Sequence, residues 1–100
     1  MNKVSHLIDL FIEETPRRLA AIRAALAKAN AEALAHEAHA LMGSSAHLGA
    51  TRMDALCEIL EEQGRAGSIN GGPALLSALE EEFARVRKAL EAEKKPPTSH

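Results

Sequence analysis

Apolar residues recur along this chain three and four positions apart, with polar residues between them, and the repeat breaks at a few defined points. That period marks amphipathic helices rather than strands. Over residues 4–14, VSHLIDLFIEE, the residues Val4, Leu7, Ile8 and Phe11 predict a short leading helix. Thr15-Pro16 then reads as a fresh start, with Thr15 as N-cap and Pro16 in the first helical position. The helix that follows runs to about Ala29, with Leu19, Ile22 and Leu26 on its apolar stripe. Asn30 is placed to cap a helix that continues to about Leu48 and ends at Gly49. Thr51, with Asp54 three residues on, forms a near capping box for another helix. That helix buries Met53, Leu56, Cys57 and Leu60 and stops near Gly64. Residues 66–72, AGSINGG, can only be a loop. Pro73 starts the last helix, where Leu76, Leu79, Phe83, Val86 and Leu90 form the seam of a bundle.

The expected fold is therefore all-α: an antiparallel four-helix bundle with a short leading N-terminal helix. Residues 1–93 form one domain, and 94–100, KKPPTSH, read as a disordered tail or linker.

Composition agrees with the pattern. The apolar content rests on alanine and leucine, with no tryptophan or tyrosine and two phenylalanines, a vocabulary that favours helix over strand. The net charge of −2 has both signs interspersed, so no basic footprint for nucleic acid is present. No apolar run approaches the ~20 residues that span a bilayer, and no signal-peptide pattern opens the sequence. Cys57 is the single cysteine, which excludes an internal disulfide. It reads as a small buried apolar residue in a reducing cytoplasm.

The candidate chemistry lies in residues 38–50, AHALMGSSAHLGA. At ~100° per residue, Leu34, Ala38, Leu41, Ser45 and Leu48 fall on one core-facing stripe, and His39 lies well round from it toward solvent. Its neighbours one and two turns away are Ala35, His36, Met42, Gly43 and Ala46, a low and mostly uncharged surface. A glycine inside a helix costs about 1 kcal/mol relative to alanine, so Gly43 suggests close approach by a second protein. On the next helix, Glu61 flanks the apolar stripe and either faces water or reaches an adjacent helix. Arg65 follows it at the favourable i, i+4 spacing. Were Glu61 to accept the proton of one His39 ring nitrogen, the other would be left as a lone-pair nucleophile.

Rival chemistries fit less well. His36 and His39 are three apart, and His47 lies further along, but two ligands on one exposed face leave a zinc site incomplete. Neither His36 nor His39 has the glutamate three residues before it that a di-iron bundle uses. Ser44 and Ser45 lie beside no evident base and orienting group.

The stretch AHALMGSSAHLGATRMDALCEILEEQGRAG resembles the signature of histidine phosphotransfer domains of two-component phosphorelays. Their pattern is roughly Ala-His-x-Leu-Lys-Gly-Ser-Ser/Ala, then Leu-Gly-Ala, Leu-x-x-Leu-Cys and a Leu-Glu pair. The flanks LIDLFIEETPRRLAAIRAAL and LLSALEEEFARVRKAL fit as well, so the resemblance covers about residues 4–92. It implies that His39 is the phosphoacceptor and that Gly43 leaves room for a docking receiver domain. Glu61 matches the position that orients the imidazole, and Arg65 matches a polar position near the site in some members, a candidate contact for phosphate or partner. The implied partners are receiver domains and a hybrid histidine kinase, with no nucleic acid or membrane, and the domain would act as a monomer. It would need no cofactor of its own and form no metal site, since Mg2+ belongs to the receiver. It would be a phosphocarrier and not an enzyme, with no ATP-binding elements of a kinase.

Two further expectations follow from the resemblance. Ile8, Phe11 and Ile12, with Met42 and Ala46, would supply the apolar part of the docking patch, unless the leading helix serves as a lid on the core. Met42 stands where the family usually has lysine, so either Arg65, Arg52 or a partner residue offsets phosphate charge, or transfer is slow, or the site is retuned to one partner. The same departure favours the alternative of an interaction module that docks receivers or kinases without stable phosphorylation.

Overall fold

Ile8, Phe11, Thr15, Leu19, Ile22 and Ala25 lie three or four residues apart, and all are buried. They form one uninterrupted stripe along a single helix, α1 (Lys3–Ala27), which carries Pro16 in its interior. The computed structural model describes residues 3–48 and 50–94. The remaining helices are α2 (Ala31–His47), α3 (Thr51–Arg65) and α4 (Gly72–Lys94).

The separate leading helix expected from Thr15-Pro16 is therefore absent, and residues 4–14 are the first half of α1. Thr15 is a core residue and not a cap. A proline inside a helix costs about 3 kcal/mol. Burying Ile8 and Phe11 returns roughly 1.5–3 kcal/mol each, and breaking the helix at Pro16 would put both contributions at risk. Continuity wins.

Each helix packs against two neighbours, in the ring α1–α2–α3–α4. Short connections at 28–30, 48–50 and 66–71 make consecutive helices antiparallel. This is the expected four-helix bundle. Leu34, Leu41, Met53, Leu60 and Leu79 are fully enclosed in its core, and the rings of Phe11 and Phe83 meet edge to face at 5.7 Å. Leu48 and Leu56, expected inside, are half-buried. Arg18–Glu37 links α1 to α2, Arg23–Glu80 links α1 to α4, and Arg52–Glu82 links α3 to α4. Exposed pairs of this kind contribute about 0–1 kcal/mol each, so apolar burial carries the bundle and the ion pairs help to select its register.

The helix ends follow the expected punctuation to within two residues. The Asn30 side chain accepts from the Ala33 N–H at 3.0 Å, the cap foreseen for α2. The N-cap of α3 is Ala50, which makes no side-chain cap bond, and Thr51 is the first helical residue. Ala50 is itself buried against the core, which draws the helix start back by one residue. At its other end α3 stops near Gly64, as expected. It runs to Arg65 and closes through Ser68 N–H to Gln63 O and Gly67 N–H to Gly64 O, with Gly67 at φ +76°. That pair of bonds is the Schellman arrangement, for which a glycine in the left-handed region is suited. The expectations at Gly49, at the side chains of Val4 and His47, and for the tail beyond Lys94 lie outside the described residues.

Candidate functional site

His39 projects from the middle of α2 with 65% of its side chain exposed. The core stripe of α2 turns Leu34, Ala38, Leu41 and Ser45 inward, which leaves the imidazole on the outer face, as the helical spacing requires. Ser45 sits inside without a polar cost, because its hydroxyl donates to the Leu41 carbonyl at 3.0 Å.

The partner of the imidazole comes from α3. Glu61 Oε2 lies 3.0 Å from His39 Nδ1, and the Glu61 side chain is only 9% exposed. The same oxygen lies 2.6 Å from Arg65 Nη2, one turn further along α3. Glu61 thus carries two donors on one oxygen, a ring N–H from α2 and a guanidinium from its own helix. A carboxylate can only accept from Nδ1, so that nitrogen holds the proton in the neutral ring and Nε2 carries the lone pair. Among the described residues Nε2 has no hydrogen-bond partner. The arrangement is a solvent-facing nitrogen nucleophile on an oriented ring.

The surface around the ring is low. Ala46 and Gly43 are exposed, and Met42 is half-buried against the core. A β-carbon built on Gly43 would meet nothing within 4 Å, so nothing in this chain's own packing requires glycine there. Gly43 borders two depressions. One, beside the imidazole, is completed by Met42, Ala46, Asp54 and Glu58. The other is a groove of about 260 Å³ between α1 and α2, lined by Leu7, Leu10, Phe11, Glu14, Ser44 and Leu48 in addition to Gly43.

Some expected site residues are placed elsewhere. Ile8 and Phe11 are 2% and 3% exposed, so they belong to the core, and Phe11 reaches the surface only as part of the groove lining. Ile12 is half-buried. The apolar surface of α1 is instead Leu7 and Leu10, at 36% and 42% exposure. Reading Thr15 as part of the buried stripe identifies them, because an unbroken stripe through Ile8, Phe11 and Thr15 turns Leu7 and Leu10 outward. Arg52 engages Glu82 on α4 and sits nine helical positions before Glu61, half a turn round α3 from it. It cannot serve His39. His36 is exposed one turn before His39, and no group of three or more metal-ligating side chains converges among the described residues. Burial, and then the negative charge of Asp54, push the Cys57 thiol up to about 12, which leaves it an inert core group.

Comparisons with known proteins identify the family and the fold. A family model described as Hpt domain matches residues 6–89. The fold is similar to a crystal structure of histidine-containing phosphotransfer protein B from Pseudomonas aeruginosa PAO1, at 38% sequence identity and a TM-score of 0.87. That match covers 90% of this chain and 78% of the other. No curated protein matches the chain. Among the described residues no helix is long and apolar enough to cross a membrane.

Proposed function

This chain belongs to the Hpt domain family of histidine phosphotransfer proteins, and on that premise we propose that His39 Nε2 carries the phosphoryl group between receiver domains of a phosphorelay. One observation supports the assignment above the rest: Nδ1 is engaged by a nearly buried carboxylate while the imidazole side chain is 65% exposed.

The reaction is an in-line displacement. The Nε2 lone pair attacks the phosphorus of a receiver's aspartyl phosphate, the N–P bond forms, and the acyl phosphate P–O bond breaks to return a free carboxylate. The ring gains positive character and keeps its Nδ1 proton. Glu61, already hydrogen-bonded to that proton, offsets the charge where it develops. Transfer to a second receiver reverses these steps. A Mg2+ ion for such chemistry would be held by the receiver and would supply charge compensation there. This chain contributes the nucleophile, its orientation and a docking face. Gly43, Ala46 and Met42, with Leu7 and Leu10 across the groove, form that face, where the open space at Gly43 leaves room for the partner's backbone. Arg65 is the cation best placed to share phosphate charge, since the position usually held by lysine is Met42.

Met42 is also the observation that favours a second reading, a docking module that is not stably phosphorylated. Incubation with a phosphorylated receiver followed by intact-mass measurement separates the two. The carrier reading requires a phosphoryl adduct on the wild type that is absent from His39→Ala. Binding without any adduct supports the docking module.

A further inference from the structure

Gly64 is buried in the last turn of α3, and its α-carbon faces the backbone of α2. A β-carbon at this position would lie 2.6 Å from the Ala31 carbonyl oxygen, 2.7 Å from the Ala35 nitrogen and 2.8 Å from the Ala35 β-carbon. Two of these three neighbours are backbone atoms of a helix and cannot turn aside. Gly72 provides the contrast, since its missing β-carbon would meet only the flexible end of Leu26.

The Gly64–Ala35 contact is the next contact along from the His39–Glu61 pair. On antiparallel helices, one turn back along α2 from His39 reaches Ala35, and one turn forward along α3 from Glu61 reaches Gly64. The two contacts are therefore separated by roughly 5 Å along the helix axes. We infer that Gly64 is a positioning residue for the phosphoacceptor ring: by letting α3 approach the backbone of α2, it sets the distance at which Glu61 meets His39 Nδ1. This inference deepens the phosphoacceptor reading and rests on it for its consequence in phosphoryl transfer.

The distances make the dependence steep. Relieving the contact at Gly64 to ordinary van der Waals separation requires α3 to retreat by about 0.7 Å. Added to a 3.0 Å hydrogen bond, that displacement gives about 3.7 Å, beyond hydrogen-bonding range. Glu61 is poorly placed to follow the ring, because its side chain is nearly buried and its oxygen is also held by Arg65. Released from Glu61, a neutral imidazole favours the proton on Nε2, which blocks the nucleophile.

The test combines a spectroscopic signature with transfer kinetics. In ¹⁵N NMR spectra of the neutral ring, wild-type His39 shows the Nδ1–H tautomer. Gly64→Ala shifts it toward Nε2–H, as Glu61→Ala does. Each variant lowers single-turnover phosphoryl transfer by about 10- to 100-fold. The double variant is no slower than Glu61→Ala alone, since both remove the same interaction. Gly72→Ala, a packing change at the α1–α4 contact, lowers the melting temperature while leaving tautomer and rate as in wild type. Should Gly64→Ala not fold, Ala35→Val enlarges the same contact from α2 and is read identically. An unchanged tautomer in the folded variant, or rate losses that multiply in the double variant, would overturn the inference. The last turn of α3 would then be yielding without carrying Glu61. A normal tautomer response in a protein that accepts no phosphoryl group would instead leave Gly64 as a positioning residue and sink the phosphoacceptor reading.

Discussion

His39 and Glu61 come from different helices, yet Nδ1 of one lies 3.0 Å from Oε2 of the other, with the imidazole largely exposed and the carboxylate nearly buried. The asymmetry matters chemically. A buried acceptor holds the ring and its proton, and an exposed ring leaves Nε2 accessible to a partner as bulky as a folded domain.

Removing the carboxylate tests this division of labour. Glu61→Ala is expected to slow phosphoryl transfer by about 10- to 100-fold, with receiver affinity little changed. Glu61→Gln keeps an oxygen that accepts from Nδ1–H but loses the charge, so its rate falls between the two. Single-turnover transfer from one phosphorylated receiver orders the three proteins. Equal rates would remove Glu61 from the mechanism.

Gly43 separates stability from docking. Its missing β-carbon has open space around it, so Gly43→Ala is expected to raise stability by about 0.5–1 kcal/mol through the gain in helix propensity. The same change should weaken receiver binding, and Gly43→Leu should weaken it further. Thermal melts and binding titrations on the same samples check both halves. A more stable variant that docks as well as wild type would show that no partner approaches this position closely.

Met42→Lys restores a cation one turn from His39 and is expected to speed exchange with at least one receiver. It also withdraws a half-buried apolar side chain from the core margin, at a cost of about 1 kcal/mol. Rates that stay the same or fall would indicate that Arg65 or the receiver already supplies the charge.

The sequence announced the helices and the chemistry of the site more clearly than it did the junctions between them. The three-and-four spacing located α2, α3 and α4, and the stripe through Leu34, Ala38 and Leu41 placed His39 on the outer face. Pro16 misled because proline starts helices more often than it sits inside them. The counter-signal was Thr15, a polar residue in phase with Ile8, Phe11 and Leu19 whose burial depends on α4 and α2 being present. Gly64 is rightly read as lying near the end of α3, but only the approach of α2 shows that it is also a packing contact. Whether Ile8 or Leu7 faces outward depended on the same junction, so that error followed from the first.

Cys57 provides a pH prediction independent of the site. Its thiol is pushed up to about 12 in the folded protein, from an ordinary value of 9.0, chiefly by burial. Well below pH 9 the thiol is protonated in both states and contributes no pH dependence. As pH rises from about 9 toward 12 the unfolded chain ionises and the folded chain does not, so stability falls over that window. Denaturant unfolding across it should show a steeper loss for wild type than for Cys57→Ala. Parallel curves would contradict the burial of the thiol.

The most direct measurement of the phosphoacceptor assignment is the position of the phosphoryl group on the ring. The protein labelled with ¹⁵N-histidine is phosphorylated by a receiver, and coupling of ³¹P to each ring nitrogen is recorded. Coupling to His39 Nε2 alone, with the proton retained on Nδ1, is the expected result. Phosphorus on Nδ1, on another histidine, or on no histidine at all would contradict it.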